Sequence, residues 1–175
     1  MVLPIEVGEP YFCDMQYFEI FKFPIQFNID QIQLNKTYIT LQKKYHPDFY
    51  GQATEDEQAE ALEMSSVVNR AYKTFKNPDR IMRYILTEEG LLEEGEAYKM
   101  DPTFLMEVME LNEMKMDDAS PETIRERALA MQQDIYNDVA GLVAAYHGEE
   151  KQKEGLLKIK DYYYKKKYID RLLAE

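Results

Sequence analysis

From residue 24 onward the chain contains prolines only at positions 24, 47, 78, 102 and 121. Between them, apolar residues recur at spacings of three and four, the period of one face of an α-helix. Glycine and proline, seven of each, read as boundary markers. The chain is therefore expected to be nearly all-α, with no sheet. "MQYFEIF" predicts a short first helix before Pro24. Asp30 can cap a second helix that carries Leu34, Tyr38, Leu41 and Tyr45 on one face, with Lys36, Lys43 and Lys44 off that stripe. Pro47 lacks an amide hydrogen and biases His46 away from the α region, so this helix should stop at Tyr45 or His46 and leave 46–53 as a loop. A third helix, from about Thr54 to Phe75, turns Ala61, Met64, Val68, Ala71 and Phe75 toward the second, and Pro78 opens a fourth up to Thr87. The result is an antiparallel helical hairpin with accessory helices.

The stretch "EEGLLEEGEAYKMDP" holds two glycines, a proline and clustered acids, and marks a domain boundary. It divides the chain into an extension over 1–14, a domain over 15–89, a linker over 90–101 and a second domain over 102–175. Three helices are predicted in the last part. Asp101 and Pro102 open one that runs to about Met116, and Ser120 and Pro121 open the next. That helix carries Ile124, Ala128, Met131, Ile135, Val139, Leu142 and Tyr146 on one face. The third, from Glu149 to about Leu173, carries Leu156, Ile159, Tyr163, Ile169 and Leu173. Short connections favor an up-down three-helix bundle.

Composition excludes several functions. A net charge of −12 opposes nucleic-acid binding, which needs clustered cations. No apolar run is long enough to span a membrane, and the first residues lack the order of a signal peptide, so a cytoplasmic protein is expected. One cysteine, Cys13, and two histidines, His46 and His147, make neither a disulfide nor a four-ligand zinc site. No cofactor is implied. The charge is also unevenly spread: 31–47 holds three lysines and no acid, whereas 101–118 holds six acids and one lysine. Two surfaces of opposite sign imply two partners.

The tripeptide His46-Pro47-Asp48 at the hairpin tip could be a catalytic pair, half a metal site, a turn or a contact surface. Catalysis by His46 would need a nucleophile and an orienting carboxylate in reach, and a neighbor across a proline generally points elsewhere, so the chain is not expected to be an enzyme. Metal binding fails on ligand count. In the turn reading, Pro47 stops the helix and Asp48 hydrogen-bonds its own backbone.

Context favors the contact surface. "KKYHPDFYG", the basic helix before it and "NRAYKTFKNP" after it resemble the J-domain family of co-chaperones over roughly residues 15–87. That resemblance implies that His46, Pro47 and Asp48, with Lys36, Lys43 and Lys44, engage a DnaK-type ATPase chaperone and trigger its hydrolysis. The glycine/phenylalanine-rich linker and cysteine-rich module of larger J-proteins are not matched. Instead "DPTFLMEVMELNEMKMDD" and the closing "KKKYIDRLL" resemble the HscB family, co-chaperones of iron–sulfur cluster assembly, from about Gln16 to Leu173.

This second resemblance implies the chaperone HscA as one partner and the scaffold protein IscU as the other. It carries scaffold binding to Leu105, Met106, Met109, Glu110, Glu113, Asp117 and Tyr168. Spacing places Met106, Met109, Glu110, Glu113 and Asp117 in a stripe beside a core face of Phe104, Val108 and Leu111. Met114 and Met116 read as core, and Lys165 to Lys167 as solvated. Lys22 stands where the family often has glycine, Ile81 where arginine often follows the proline, and Tyr168 where it has phenylalanine. The zinc-binding N-terminal extension of eukaryotic members is not matched, which points to a bacterial-type form. A J-domain co-chaperone serving a different client is the alternative.

Overall fold

A computed structural model describes residues 15–117, 119–149 and 152–174, so the predicted extension over 1–14, with Cys13, lies outside the described residues. Among the described residues there are seven α-helices and no strand: α1 (Gln16–Phe21), α2 (Gln31–Tyr45), α3 (Glu55–Phe75), α4 (Pro78–Glu88), α5 (Pro102–Met116), α6 (Pro121–Ala145) and α7 (Lys153–Ala174). The all-helical expectation holds. Most starts are set by a side chain that satisfies first-turn amides. Asp30 accepts from the N–H groups of Ile32 and Gln33 at 2.7 and 3.0 Å, and Asp101 from Thr103 and Phe104 at 2.8 and 3.2 Å. Thr54 and Glu57 cap α3 reciprocally. Each such cap stabilizes its helix by about 1 kcal/mol.

Three boundaries differ from the sequence reading. The 46–53 loop contains a 3-10 turn over Pro47–Tyr50. α7 begins at Lys153 rather than Glu149. Glycine is not confined to boundaries either, since Gly141 lies inside α6 and Gly155 in the first turns of α7. At Gly155 an added Cβ would meet Leu142 Cδ2 at 3.4 Å, an ordinary packing distance, so the α6–α7 contact does not depend on glycine there. At the end of α1, Lys22 adopts φ 54°, the left-handed region that glycine enters most easily.

The hairpin closes as predicted, with Leu34 of α2 buried against Val68, Ala71 and Phe75 of α3. Phe18 and Phe21 from α1 pack on the Phe75 ring at 4.9 and 5.4 Å. α4 adds Ile81, Ile85 and Leu86. This apolar cluster does not stop at the hairpin. It continues without interruption into Val139, Val143 and Tyr146 of α6 and its C-cap, and into Leu156, Ile159 and Tyr162 of α7. The buried Tyr146 ring lies 5.0 Å from Phe27, and its hydroxyl donates to Glu89 Oε1 at 2.7 Å. A second cluster of Phe104, Val108, Leu111, Ala128 and Ile169 joins α5 to the other halves of α6 and α7.

Residues 90–101 are laid against α7. Leu92 is buried in the first cluster. Tyr98 stacks on Tyr164 at 4.3 Å and donates its hydroxyl to Asp161 at 2.7 Å. Glu96 accepts from Lys160 at 2.5 Å and from the Tyr164 hydroxyl at 3.2 Å, and the Lys160 hydrogen bond holds its carboxyl below the usual range. Burial, followed by the carboxylate partner, raises the pKa of both phenols, that of Tyr164 to about 12.

Along α7 the buried tyrosine is Tyr162, while Tyr163 is half-buried. Only Lys167 of the three neighboring lysines is solvated. Lys165 pairs with Asp161 at 2.8 Å, and Lys166 pairs with Asp170 at 2.7 Å and with Asp79 of α4 at 2.9 Å. No helix among the described residues is long and apolar enough to cross a membrane.

Candidate functional site

Two surfaces carry the residues singled out by the sequence. At the tip between α2 and α3, His46, Pro47 and Asp48 are all exposed. Their geometry is fixed locally. His46 is both the C-cap of α2 and the N-cap of the 3-10 turn, and its extended backbone is what a residue before proline adopts. The Asp48 N–H donates to His46 Nδ1 at 3.3 Å, so the histidine makes the side-chain-to-backbone bond that the sequence reading gave to Asp48. That bond holds the imidazole ring in place, and a ring whose Nδ1 accepts a hydrogen bond presents Nε2 as its donor. Asp48 Oδ2 lies 3.6 Å from Nδ1, and the side chain is 85% exposed, open to a donor from outside.

Tyr50 closes the turn by donating its hydroxyl to the Lys44 carbonyl at 2.9 Å. Phe49, 71% exposed, stands edge-on to the His46 ring at 6.1 Å. Lys36 and Lys43 are exposed seven residues apart on α2, on one stripe with the exposed Ile32 and Ile39. Lys44 is exposed but turned aside, with its ammonium 4.7 Å over the Tyr45 ring, and its pKa is raised by that neighbor. Sequence reasoning missed Phe49, Ile32 and Ile39. The four- and three-residue steps through Ile32, Lys36, Ile39 and Lys43 were the available signal.

The second surface is α5. Its inner face is Phe104, Val108 and Leu111, all buried. Met106 and Met109 are 64% and 59% exposed, and Glu110, Glu113 and Asp117 are exposed with them. Leu105 is half-buried. Tyr168 of α7 is half-buried too, with its ring 6.3 Å edge-on to Phe104 and the Arg171 guanidinium 5.6 Å from its center. Met114 is half-buried on the second cluster, but Met116 is 83% exposed and is not core. It lies seven residues beyond Met109, two turns along the same face, and lengthens the apolar stripe.

Fold and surfaces together give an all-helical protein with an exposed polar corner at the α2–α3 tip and an apolar, acid-edged face on α5. Residues 100–175 match the family described as the HSCB C-terminal oligomerisation domain. The chain is 41% identical over 104 residues to a co-chaperone HscB homolog of Colwellia psychrerythraea, a stretch that covers 59% of each protein. It is 39% identical over 116 residues to one of Vibrio campbellii, covering 66% of this chain and 67% of the relative. Among solved structures, the chaperone HscB of Vibrio cholerae aligns over 90% of this chain and 93% of its own, at 33% identity and a TM-score of 0.66. Human HscB aligns over 97% and 80%, at 27% identity and a TM-score of 0.71. The chain belongs to the HscB family.

Proposed function

We propose that this chain is a J-domain co-chaperone of iron–sulfur cluster assembly, with 15–89 as the J domain, 102–175 as the scaffold-binding domain and 90–101 joining them. In this reading His46, Pro47 and Asp48, with Lys36, Lys43 and Lys44, engage the DnaK-type chaperone HscA. Leu105, Met106, Met109, Glu110, Glu113, Asp117 and Tyr168 hold the scaffold IscU. The observation that carries it is the preformed, exposed corner: an imidazole and a carboxylate held by a proline turn lose little entropy on docking. The basic stripe of α2 speeds encounter with an acidic partner.

No chemistry by this chain is required. It needs only to bind the activated arrangement of the ATPase better than the resting one, and a coupling of about 1–3 kcal/mol corresponds to roughly 5- to 150-fold. A half-apolar, half-acidic stripe on α5 fits a scaffold whose own apolar spot is rimmed by cations. The test is steady-state ATP hydrolysis by the cognate chaperone with this protein, with the scaffold, and with both. Stimulation by the protein, enhanced by the scaffold, is expected. Unchanged hydrolysis at saturating protein would overturn the assignment.

A further inference from the structure

α5 has a second flank, turned away from the methionine stripe. There a groove of about 780 Å³ opens between α5 and α6. Its floor is apolar, formed by Phe104, Leu111, Met114, Met131 and Ile135. Its rims are mainly acidic, with Glu107 and Glu110 on α5 and Asp134 and Asp138 on α6 outnumbering the one rim cation, Arg127 of α6. A smaller cavity of about 380 Å³ shares Ile135, Asp138 and Lys165 with it and continues between α6 and α7 to Leu157, which is 52% exposed. The depression follows α6 from Arg127 to Val139, about 18 Å at the helical rise per residue.

Among the described residues none of the four rim carboxylates has an ion-pair partner, whereas Lys165 at the junction is bound to Asp161 at 2.8 Å. Asp134 and Asp138 are one turn apart on the same helix, where like charges repel and disfavor the helix that carries them. A bound cation would relieve that repulsion. A metal ion does not fit, because among the described residues no three acidic or histidine side chains converge closely enough to hold one. The charge is spread along both rims instead.

We propose that this groove receives an amphipathic helix of a partner protein, with an apolar ridge and Lys or Arg along both edges. Such a helix of about three turns fills the length available and sets its cations against both rims. Only Glu110 is shared with the surface assigned to the scaffold, so the groove can be occupied independently of it.

The probe is a fluorescent peptide of about 15 leucine, lysine and alanine residues patterned as an amphipathic helix, long enough to fold on binding. A scrambled peptide of the same composition is the control, and anisotropy is read against the full-length protein. The patterned peptide should bind at least roughly tenfold tighter than the scrambled one, and the Asp134→Lys/Asp138→Lys variant should lose at least roughly tenfold in affinity. The isosteric Asp134→Asn/Asp138→Asn pair should show a smaller loss in the same direction, which guards against misfolding of the lysine variant. Met106→Ala/Met109→Ala should bind the peptide like the parent, which separates this groove from the scaffold stripe. Equal binding of the two peptides, or unchanged binding by both Asp134/Asp138 variants, would overturn the proposal. So would sedimentation showing that the parent self-associates through this face and that the lysine variant does not, since the occupant would then be a second copy.

Discussion

The hairpin tip and the α5 face are built by different means. The tip owes its shape to a few covalent neighbors: a proline that ends a helix, a histidine that caps the next turn and a tyrosine that ties the turn back to Lys44. The α5 face owes its shape to everything beneath it, because Met106 and Met109 point outward only while Phe104, Val108 and Leu111 are held in the second cluster. A locally built surface can be damaged without touching stability. A face carried on a packed helix is hard to preserve once the packing fails.

Experiments can break or sharpen that contrast. The largest effect should come at the tip: Asp48→Ala removes the exposed carboxylate and is expected to abolish stimulation of the chaperone ATPase. Its denaturation midpoint should stay within the spread typical of surface changes, about 0.5 kcal/mol. A stable variant that still stimulates would end the role of the corner. In the core, Leu156→Ala should cost about 2–5 kcal/mol in urea unfolding, because a buried leucine is replaced by a void. Both activities should then fall together.

Met106→Ala with Met109→Ala should weaken scaffold binding by about 1–3 kcal/mol in calorimetry while leaving unfolding almost unchanged. The opposite result, normal affinity with reduced stability, would return both methionines to a packing role. Tyr98→Phe removes only the hydrogen bond to Asp161 and should cost about 0.5–1.5 kcal/mol.

The same linker contact gives a pH signature. The fold holds Tyr164 as a neutral phenol, with its pKa raised from 10.0 to about 12 by burial and then by Glu96. Stability from this group is complete below pH 10, the unfolded value, and is lost as pH rises through about 12. Denaturation midpoints of Tyr164→Phe across that window should decline less steeply than those of the parent.

What the sequence made legible follows the same division. α2, α3, α5 and α6 could be read because their caps and apolar periods are properties of neighboring residues. Leu34, Val68, Phe104 and Val108 fell on the buried side for the same reason. Long-range partners were not legible. Lys166 looks solvated in a run of three lysines, yet it finds Asp79 across 87 positions of chain. Tyr162 rather than Tyr163 became core because α7 must meet α4 as well as α6, a constraint that its own period does not contain. Met116 reads as core beside Met114, yet its step of seven from Met109 places it on the exposed face. The tip was recognizable as a motif, but that histidine rather than aspartate makes the internal bond depends on backbone angles around Pro47 that no pattern specifies.

The apolar seam shared by α1–α4 and the adjoining ends of α6 and α7 limits how such a protein can be rearranged by evolution. A hairpin borrowed from another lineage would have to match Val139, Val143, Leu156 and Ile159 along its whole length before its recognition corner mattered at all. Exchange of one half therefore demands coordinated substitutions in the other, so the hairpin and the C-terminal helices are inherited as a pair.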